Sequence, residues 1–205
     1  MQEPVHETTR RRLSARQAAT VDRLVSAALD ALRDSGYDGL TIRGVAASAG
    51  VAPATAYTYF SSREHLVTEL FWRRLMEMDD PLVDQRRSAA RRAADAMVEL
   101  ALVVADEPEL SAACTQAMLS TDEEVALLRD RIGAQWHRRL TTALAQDADP
   151  VVLRSLEIAI SGALLQTGMG HLSYELLPEL LSDLAQLIVS GARTTEHEPT
   201  KGERR

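Results

Sequence analysis

The chain has 205 residues, 45% hydrophobic and 26% charged. That is enough for one or two domains with a real core, and it excludes a fibrous or low-complexity chain. A single cysteine, Cys114, excludes an intramolecular disulfide and a cysteine-based zinc site, and a lone thiol fits a reducing cytoplasm. The net charge of −7 argues against a polyanionic partner until its distribution is read: residues 8–75 carry ten Arg against six Asp/Glu (+4), and residues 76–205 carry thirteen Arg/Lys against twenty-two Asp/Glu (−9), as in a polyanion-facing module joined to an acidic one.

Residues 1–16 are polar and read as a flexible arm, with a basic run at Arg10, Arg11 and Arg12. Alone, that run is a solvated tail; beside a DNA-binding module it becomes a candidate minor-groove or phosphate contact. The opening MQEPVHETTRRRLS has no apolar core, so no secretory signal is expected. Val21, Leu24, Val25, Ala28, Leu29 and Leu32 then form one apolar helical stripe. It stops in DSGYDG, where Gly36 suits the left-handed position past a helix C-terminus. Thr41 is placed to cap a short second helix with Ile42, Val45, Ala46 and Ala49 facing its partner, ending at Gly50. APATAYTYF is a third helix, with Pro53 at the first position, where a missing N–H costs nothing. Ser61 and Glu64 have the spacing of a capping box for a fourth, whose buried face is Leu66, Val67, Leu70, Phe71, Leu75 and Met78 and which Pro81 closes. A glycine turn between the second and third helices gives a helix-turn-helix outline over 17–62, followed by a connecting helix over 63–79.

Residues 80–193 are again helical. The apolar periods predict helices from Ala89 to about Asp106, from Pro108 past Met118, from Asp122 to Gln146, from Pro150 to about Tyr174, and from Leu177 through Ile188. Residues 194–205 form a polar tail expected to be disordered, and no strand is expected, so the fold class is all-α. Charged residues break the apolar stretches, so none is expected to span a membrane. The five histidines, at 6, 65, 137, 171 and 197, match no metal-binding spacing, and no nucleophile elbow, phosphate loop or dinucleotide fingerprint occurs. Catalytic residues, metals and cofactors are therefore not expected. An all-helical enzyme using Cys114 and His137 as nucleophile and base remains the remote alternative, against the commoner buried structural thiol.

The segment AALDALRDSGYDGLTIRGVAASAGVAPATAYTYFSSREHLVTELF resembles the N-terminal DNA-binding domain of TetR-family transcriptional regulators, over roughly residues 17–72. The shared order is a helix ending in Gly-Tyr, a Thr-Ile-Arg opening, A-x-x-A-G-V, a small-residue recognition helix, Y-x-Y-F and S-R-E-x-L. The resemblance implies a one-component regulator, expected to be a repressor, that binds a palindromic double-stranded DNA operator as a homodimer and is released by a small molecule. An activator, or a regulator that needs a co-repressor, uses the same parts. Small side chains at Ala52, Pro53, Ala54, Thr55 and Ala56 let the third helix approach the floor of a major groove about 12 Å wide, and Thr55 can meet a thymine methyl. Tyr57 and Tyr59 are placed for phosphate oxygens, or alternatively for packing, and Phe60 for the core. The resemblance places Thr41, Arg43 and Arg63 on the DNA backbone. Base reading falls to Arg43, Thr55 and Thr58, because Ala52, Pro53 and Gly44 depart from the family's more polar residues.

The resemblance further implies an effector pocket and a dimer face in the C-terminal module. Met97, Ala101, Val104, Cys114, Met118, Trp136, Leu140, Gln166 and Met169 can line an adaptable apolar cavity, or be ordinary core. The expected ligand is a hydrophobic molecule such as a lipid or steroid derivative or an acyl thioester. Gly162, Gly168 and Gly170 let the penultimate helix approach a partner closely, or merely soften it internally; on the first reading Leu156, Ile160, Ala163, Leu164, Thr167, Leu180, Leu184 and Leu187 are the expected dimer contacts.

Overall fold

A computed structural model describes residues 14–81 and 83–195, with side chains through Ala192. Among the described residues there are nine α-helices, two 3-10 turns and no strand. In chain order the helices are α1 (Ala15–Gly39), α2 (Ile42–Ser48), α3 (Pro53–Tyr59), α4 (Arg63–Glu77), α5 (Ala89–Ala101), α6 (Pro108–Met118), α7 (Glu123–Leu144), α8 (Pro150–Gly168) and α9 (Leu177–Thr195). They form two compact units. One runs to Met78 and takes in Val104–Gly133; the other comprises Asp79–Val103 and the chain from Ala134 on.

In the first unit, α1 begins inside the segment read as the arm. The Ser14 hydroxyl accepts from the Gln17 N–H at 3.4 Å while the Gln17 side chain accepts from the Ser14 N–H at 2.9 Å, a complete capping box. The stripe Val21, Leu24, Ala28 and Leu32 is fully buried, and α1 packs on α2, α4 and α6. Gly36 (φ 66°) breaks α1 near its end and lets Tyr37 turn inward. From α4, Leu66, Val67, Leu70, Phe71 and Leu75 meet α6, which supplies Leu110, Ala113, Cys114 and Ala117. Burying each large apolar side chain contributes about 1.5–3 kcal/mol relative to exposure, so this face sets how α4 lies. Glu107, ahead of α6, accepts from Arg33 of α1 (Nε, 3.0 Å) and Arg74 of α4 (3.3 Å).

In the second unit, alanines on α5 (Ala89, Ala90, Ala93, Ala96) leave room for α9 to pack close with Leu177, Leu181, Ala185 and Val189. α8 packs on α9 and α5 through Val152, Leu153, Leu156, Ile160 and Ala163. Buried Arg92 closes the end of α7, donating to the carbonyls of Ala143 (2.7 Å) and Leu144 (3.0 Å) and pairing with Asp147 at 3.1 Å. A cation there opposes the negative end of the helix dipole.

Several boundaries differ from the sequence expectation. The cap of α4 is Ser62, not Ser61: its hydroxyl accepts from the His65 N–H at 3.0 Å. α5 ends at Ala101 rather than near Asp106, because residues 102–106 turn and the Ser111 hydroxyl donates to the Val104 carbonyl at 2.5 Å. α8 ends at Gly168 rather than near Tyr174. Gly170 (φ 78°) forms a Schellman closure there, with its own N–H on the Thr167 carbonyl and the His171 N–H on that of Gln166. α8 is also long and apolar enough, by length and composition alone, to cross a membrane, contrary to the sequence expectation. The reason is that its outward side chains are apolar too: Val151, Ile158 and Leu165 are exposed.

The expected dimer contacts divide accordingly. Leu156, Ile160 and Ala163 are buried within the unit, which leaves them little surface for a partner. Leu164, Thr167, Leu180 and Leu184 are half-buried, and Leu187 is exposed.

Candidate nucleic-acid interface

The helix-turn-helix is held from inside. The Thr41 hydroxyl caps α2, accepting from the Gly44 N–H at 3.1 Å. Gly50 (φ 64°) makes the turn into α3. Arg23 of α1 donates to the Ala49 carbonyl at 3.2 Å and fixes the end of α2. α3 starts with Pro53 and no side-chain cap at Ala52.

That geometry sorts α3 by face. Ala52, Pro53, Ala54, Thr55 and Thr58 are exposed, Tyr57 is 48% exposed, and Tyr59 is half-buried. Ala56 and Phe60 are buried, so Ala56 belongs to the core rather than to the small outward surface where the sequence had put it. The Thr58 hydroxyl donates to the Ala54 carbonyl at 3.0 Å, which spends its proton within the helix. Thr41 keeps its hydroxyl proton, and Arg43 is exposed with no ion-pair partner among the described residues. Arg10, Arg11 and Arg12 lie outside the described residues.

Arg63 is engaged inside the unit. It donates to the Tyr37 carbonyl and to Glu64, both at 3.1 Å, and its guanidinium lies over the Tyr37 ring at 4.3 Å. The Tyr37 hydroxyl donates to the same Glu64 oxygen at 2.8 Å. Burial and the Glu64 carboxylate push the Tyr37 hydroxyl up to about 12. Burial alone would raise Glu64, but hydrogen bonds from its own backbone, Tyr37 and Arg63 hold it below the ordinary carboxylate value. The trio joins the end of α1 to the start of α4.

A second junction was invisible in the sequence. Asp122, just before α7, accepts from the hydroxyls of Ser62 (2.7 Å) and Ser61 (2.8 Å) through one carboxylate oxygen and from the Glu124 N–H (2.8 Å) through the other. Burial would raise its carboxyl, but these hydroxyl and backbone donors bring it below its ordinary value. His65 sits beside it with its ring edge-on to Phe60 (centroids 5.4 Å apart), and its Nδ1 accepts from the Ser61 N–H at 3.3 Å. One cluster therefore anchors the end of α3, the start of α4 and the start of α7. The sequence offers Ser61 as a cap and a helix starting at Asp122, but nothing in it pairs them across about sixty positions of chain.

The expected ligand residues are divided between the units. Val104, Cys114 and Met118 lie in the first and Met97, Ala101, Trp136, Leu140, Gln166 and Met169 in the second. Met97, Ala101, Val104 and Leu140 are fully or nearly fully buried, whereas Gln166 and Met169 are exposed. Burial pushes the Cys114 thiol far above its ordinary value, away from a nucleophile's thiolate, and His137 is hydrogen-bonded to Glu157 at 2.7 Å.

Residues 24–70 match the family model for bacterial regulatory proteins of the tetR family. An uncharacterized HTH-type transcriptional regulator of Mycobacterium tuberculosis is 44% identical over 189 residues, 91% of this chain and 86% of the relative. The HTH-type transcriptional repressor KstR of Rhodococcus jostii is 27% identical over 129 residues, 62% of this chain and 60% of KstR. Among solved structures, a TetR transcriptional regulator from a Rhodococcus species superposes with a TM-score of 0.71 at 20% identity, covering 86% of this chain and 98% of the other. The regulator FadR of Bacillus subtilis, solved in complex with stearoyl-CoA, superposes with a TM-score of 0.58 at 20% identity, covering 83% and 98%.

Proposed function

This chain belongs to the TetR family of bacterial regulatory proteins, and on that premise we propose that it is a cytoplasmic repressor that binds a palindromic operator as a homodimer and releases it on binding a hydrophobic small molecule. One observation carries the DNA-binding part: α3 turns Ala52, Pro53, Ala54 and Thr55 outward beside an exposed Tyr57 while Ala56 and Phe60 hold it to the core. A helix with a small outer surface can sit deep in the major groove, and hydroxyls beside it can meet phosphates. Tyr57, Tyr59, Thr41 and Arg43 set register on the backbone, and Thr55, with Arg43, reads bases. The Thr58 hydroxyl, already bonded to the Ala54 carbonyl, adds little to base reading. Arg63 orders the start of α4 and contributes positive charge near the backbone.

Dimerisation is assigned to the outward apolar side chains of α8 and α9, Val151, Ile158, Leu165 and Leu187, joined by Leu164, Thr167, Leu180 and Leu184 at the edges. A two-fold partner is the natural cover for such a face. It presents two α3 helices one DNA turn apart, about 34–36 Å. The repressor sign is supported by the partial similarity to KstR, named a repressor, and a lipid, steroid or acyl-thioester effector by the fold shared with FadR, solved with stearoyl-CoA. Bound effector must favour the DNA-incompetent arrangement to release the operator. Two helices carry the change. α4 is one. α7, which leaves the Asp122 junction and runs into the effector module, is the other.

The test is operator affinity by fluorescence anisotropy across a panel of fatty acids, acyl-CoA thioesters and sterol acids, with a reporter read in parallel. Weakened binding together with reporter induction supports release. Unchanged affinity across the panel removes the hydrophobic effector, and stronger binding with an effector reverses the sign to co-repression.

A further inference from the structure

We propose that Arg139 anchors a carboxylate carried by the effector, with the Trp136 indole N–H as a second donor; this rests on reading the second unit as the effector module. Arg139 lies on α7 and its side chain is 2% exposed. Its Nη2 donates to the Asp79 carbonyl at 2.6 Å and stands 3.5 Å from Glu99. Its Nε and Nη1 are buried with no hydrogen-bond partner among the described residues, and so is the Trp136 Nε1. Residues 136 and 139 are one turn apart, so both side chains leave the same face of α7.

A guanidinium stays charged at every accessible pH, so burial does not relieve it by deprotonation. A buried charge needs a close counter-charge and a full set of acceptors. Glu99 supplies little of either. Its side chain is half-exposed, and it reaches a single nitrogen at the long end of ion-pair range. What the site lacks is an acceptor-only, negatively charged group, and a carboxylate fits a guanidinium's planar donors best. The neighbouring residues on that face, Leu140 and Ala143, are apolar and suit the hydrophobic body of the same molecule. A cleft of about 510 Å³ lies beside the site: Glu99 and Ala143 line it with Arg92, Ala96 and Pro178, whereas Arg139 and Trp136 do not, so a ligand carboxylate must pass Glu99 to reach the guanidinium. That volume is within the range of small-molecule sites. Entry of a ligand carboxylate displaces Glu99 from Arg139 and turns it outward to solvent.

The test compares dodecanoate with dodecanol, which share an apolar chain and differ in the head group, by calorimetric titration of the full chain at pH 8. Wild-type protein should bind the acid about 10- to 100-fold more tightly than the alcohol. Arg139→Met should abolish that preference while keeping the weaker, chain-driven binding. Glu99→Gln removes the competing carboxylate and should tighten dodecanoate several-fold without changing dodecanol, which decides the matter even if Arg139→Met does not fold. Equal affinity for acid and alcohol, no binding of dodecanoate, or an intact preference in Arg139→Met would overturn the proposal. Operator binding by the unliganded wild-type chain is measured alongside: its failure counts against the regulator, and failure of dodecanoate with operator binding intact counts only against the anchor.

Discussion

Tyr57 and Tyr59 sit two residues apart on α3, the first half-exposed and the second half-buried, and each loses only a hydroxyl on mutation to Phe. If both hydroxyls meet phosphates, Tyr57→Phe/Tyr59→Phe should weaken binding about equally on all sequences. A loss of roughly 1 kcal/mol per hydrogen bond is expected, read by anisotropy on operator and unrelated duplexes. Thr55→Ala should instead change the base preference in a selected-sequence assay. His65 carries a pH prediction. Its folded value is lowered chiefly by burial, with Glu124 and Asp122 offsetting part of the effect, and its Nδ1 accepts a backbone N–H only while the ring is neutral. A base depressed on folding contributes stability that is complete above its unfolded value, about 6.5, and is lost as the pH falls through that value toward the folded one. Thermal stability should therefore fall between about pH 7 and pH 5, and His65→Gln should flatten that slope. Asp122, also lowered, acts in a separate window: its contribution is present above about pH 4 and disappears as the carboxyl protonates below that.

At the scale of elements, most helices were legible because a 3.6-residue apolar period survives in the sequence even where the core is built mainly of alanine, as on α5. Their ends were less legible, because tertiary contacts choose among local signals. Ser61 and Ser62 are adjacent hydroxyls, and Glu64 has capping-box spacing from Ser61. Tyr37 and Arg63 claim Glu64, however, and the cap passes to Ser62. The apolar run through Ala105 would continue α5, but Pro108 disfavours helix in the residue before it and the Ser111 hydroxyl takes up a carbonyl of the turn. The end of α7 holds the one described non-glycine residue with positive φ, Ala145 at 54°. A left-handed alanine is strained by about 1–2 kcal/mol, partly offset by the greater unfolded-state freedom of glycine. Ala145→Gly should stabilise the fold by about 0.5–1 kcal/mol, read as a higher midpoint in urea.

For the whole molecule, the sequence led to the family and the all-α class through one segment, yet it could not show how the chain divides. Residues 104–133 join the first unit, and Asp122 ties α7 to the reading head, neither of which any local pattern encodes. For the proposed dimer face, burial sorts the candidate residues in a way periodicity does not. Periodicity marks α8 as apolar without saying which side is used up inside the unit, and burial consumes Leu156, Ile160 and Ala163 while leaving Ile158 (64% exposed) and Leu187 (70% exposed) outward. Ile158→Glu and Leu187→Glu should keep the melting temperature of the isolated chain and convert dimer to monomer at micromolar concentration by light scattering. Operator affinity should fall about tenfold or more, since each change acts twice across a two-fold axis. The measurement that bears most directly on the whole account is the DNA the full chain selects from a randomised duplex library. The expected product is a palindrome whose half-sites lie about one helical turn, or a multiple of it, apart. Recovered DNA with no enriched sequence would contradict a DNA-reading dimer.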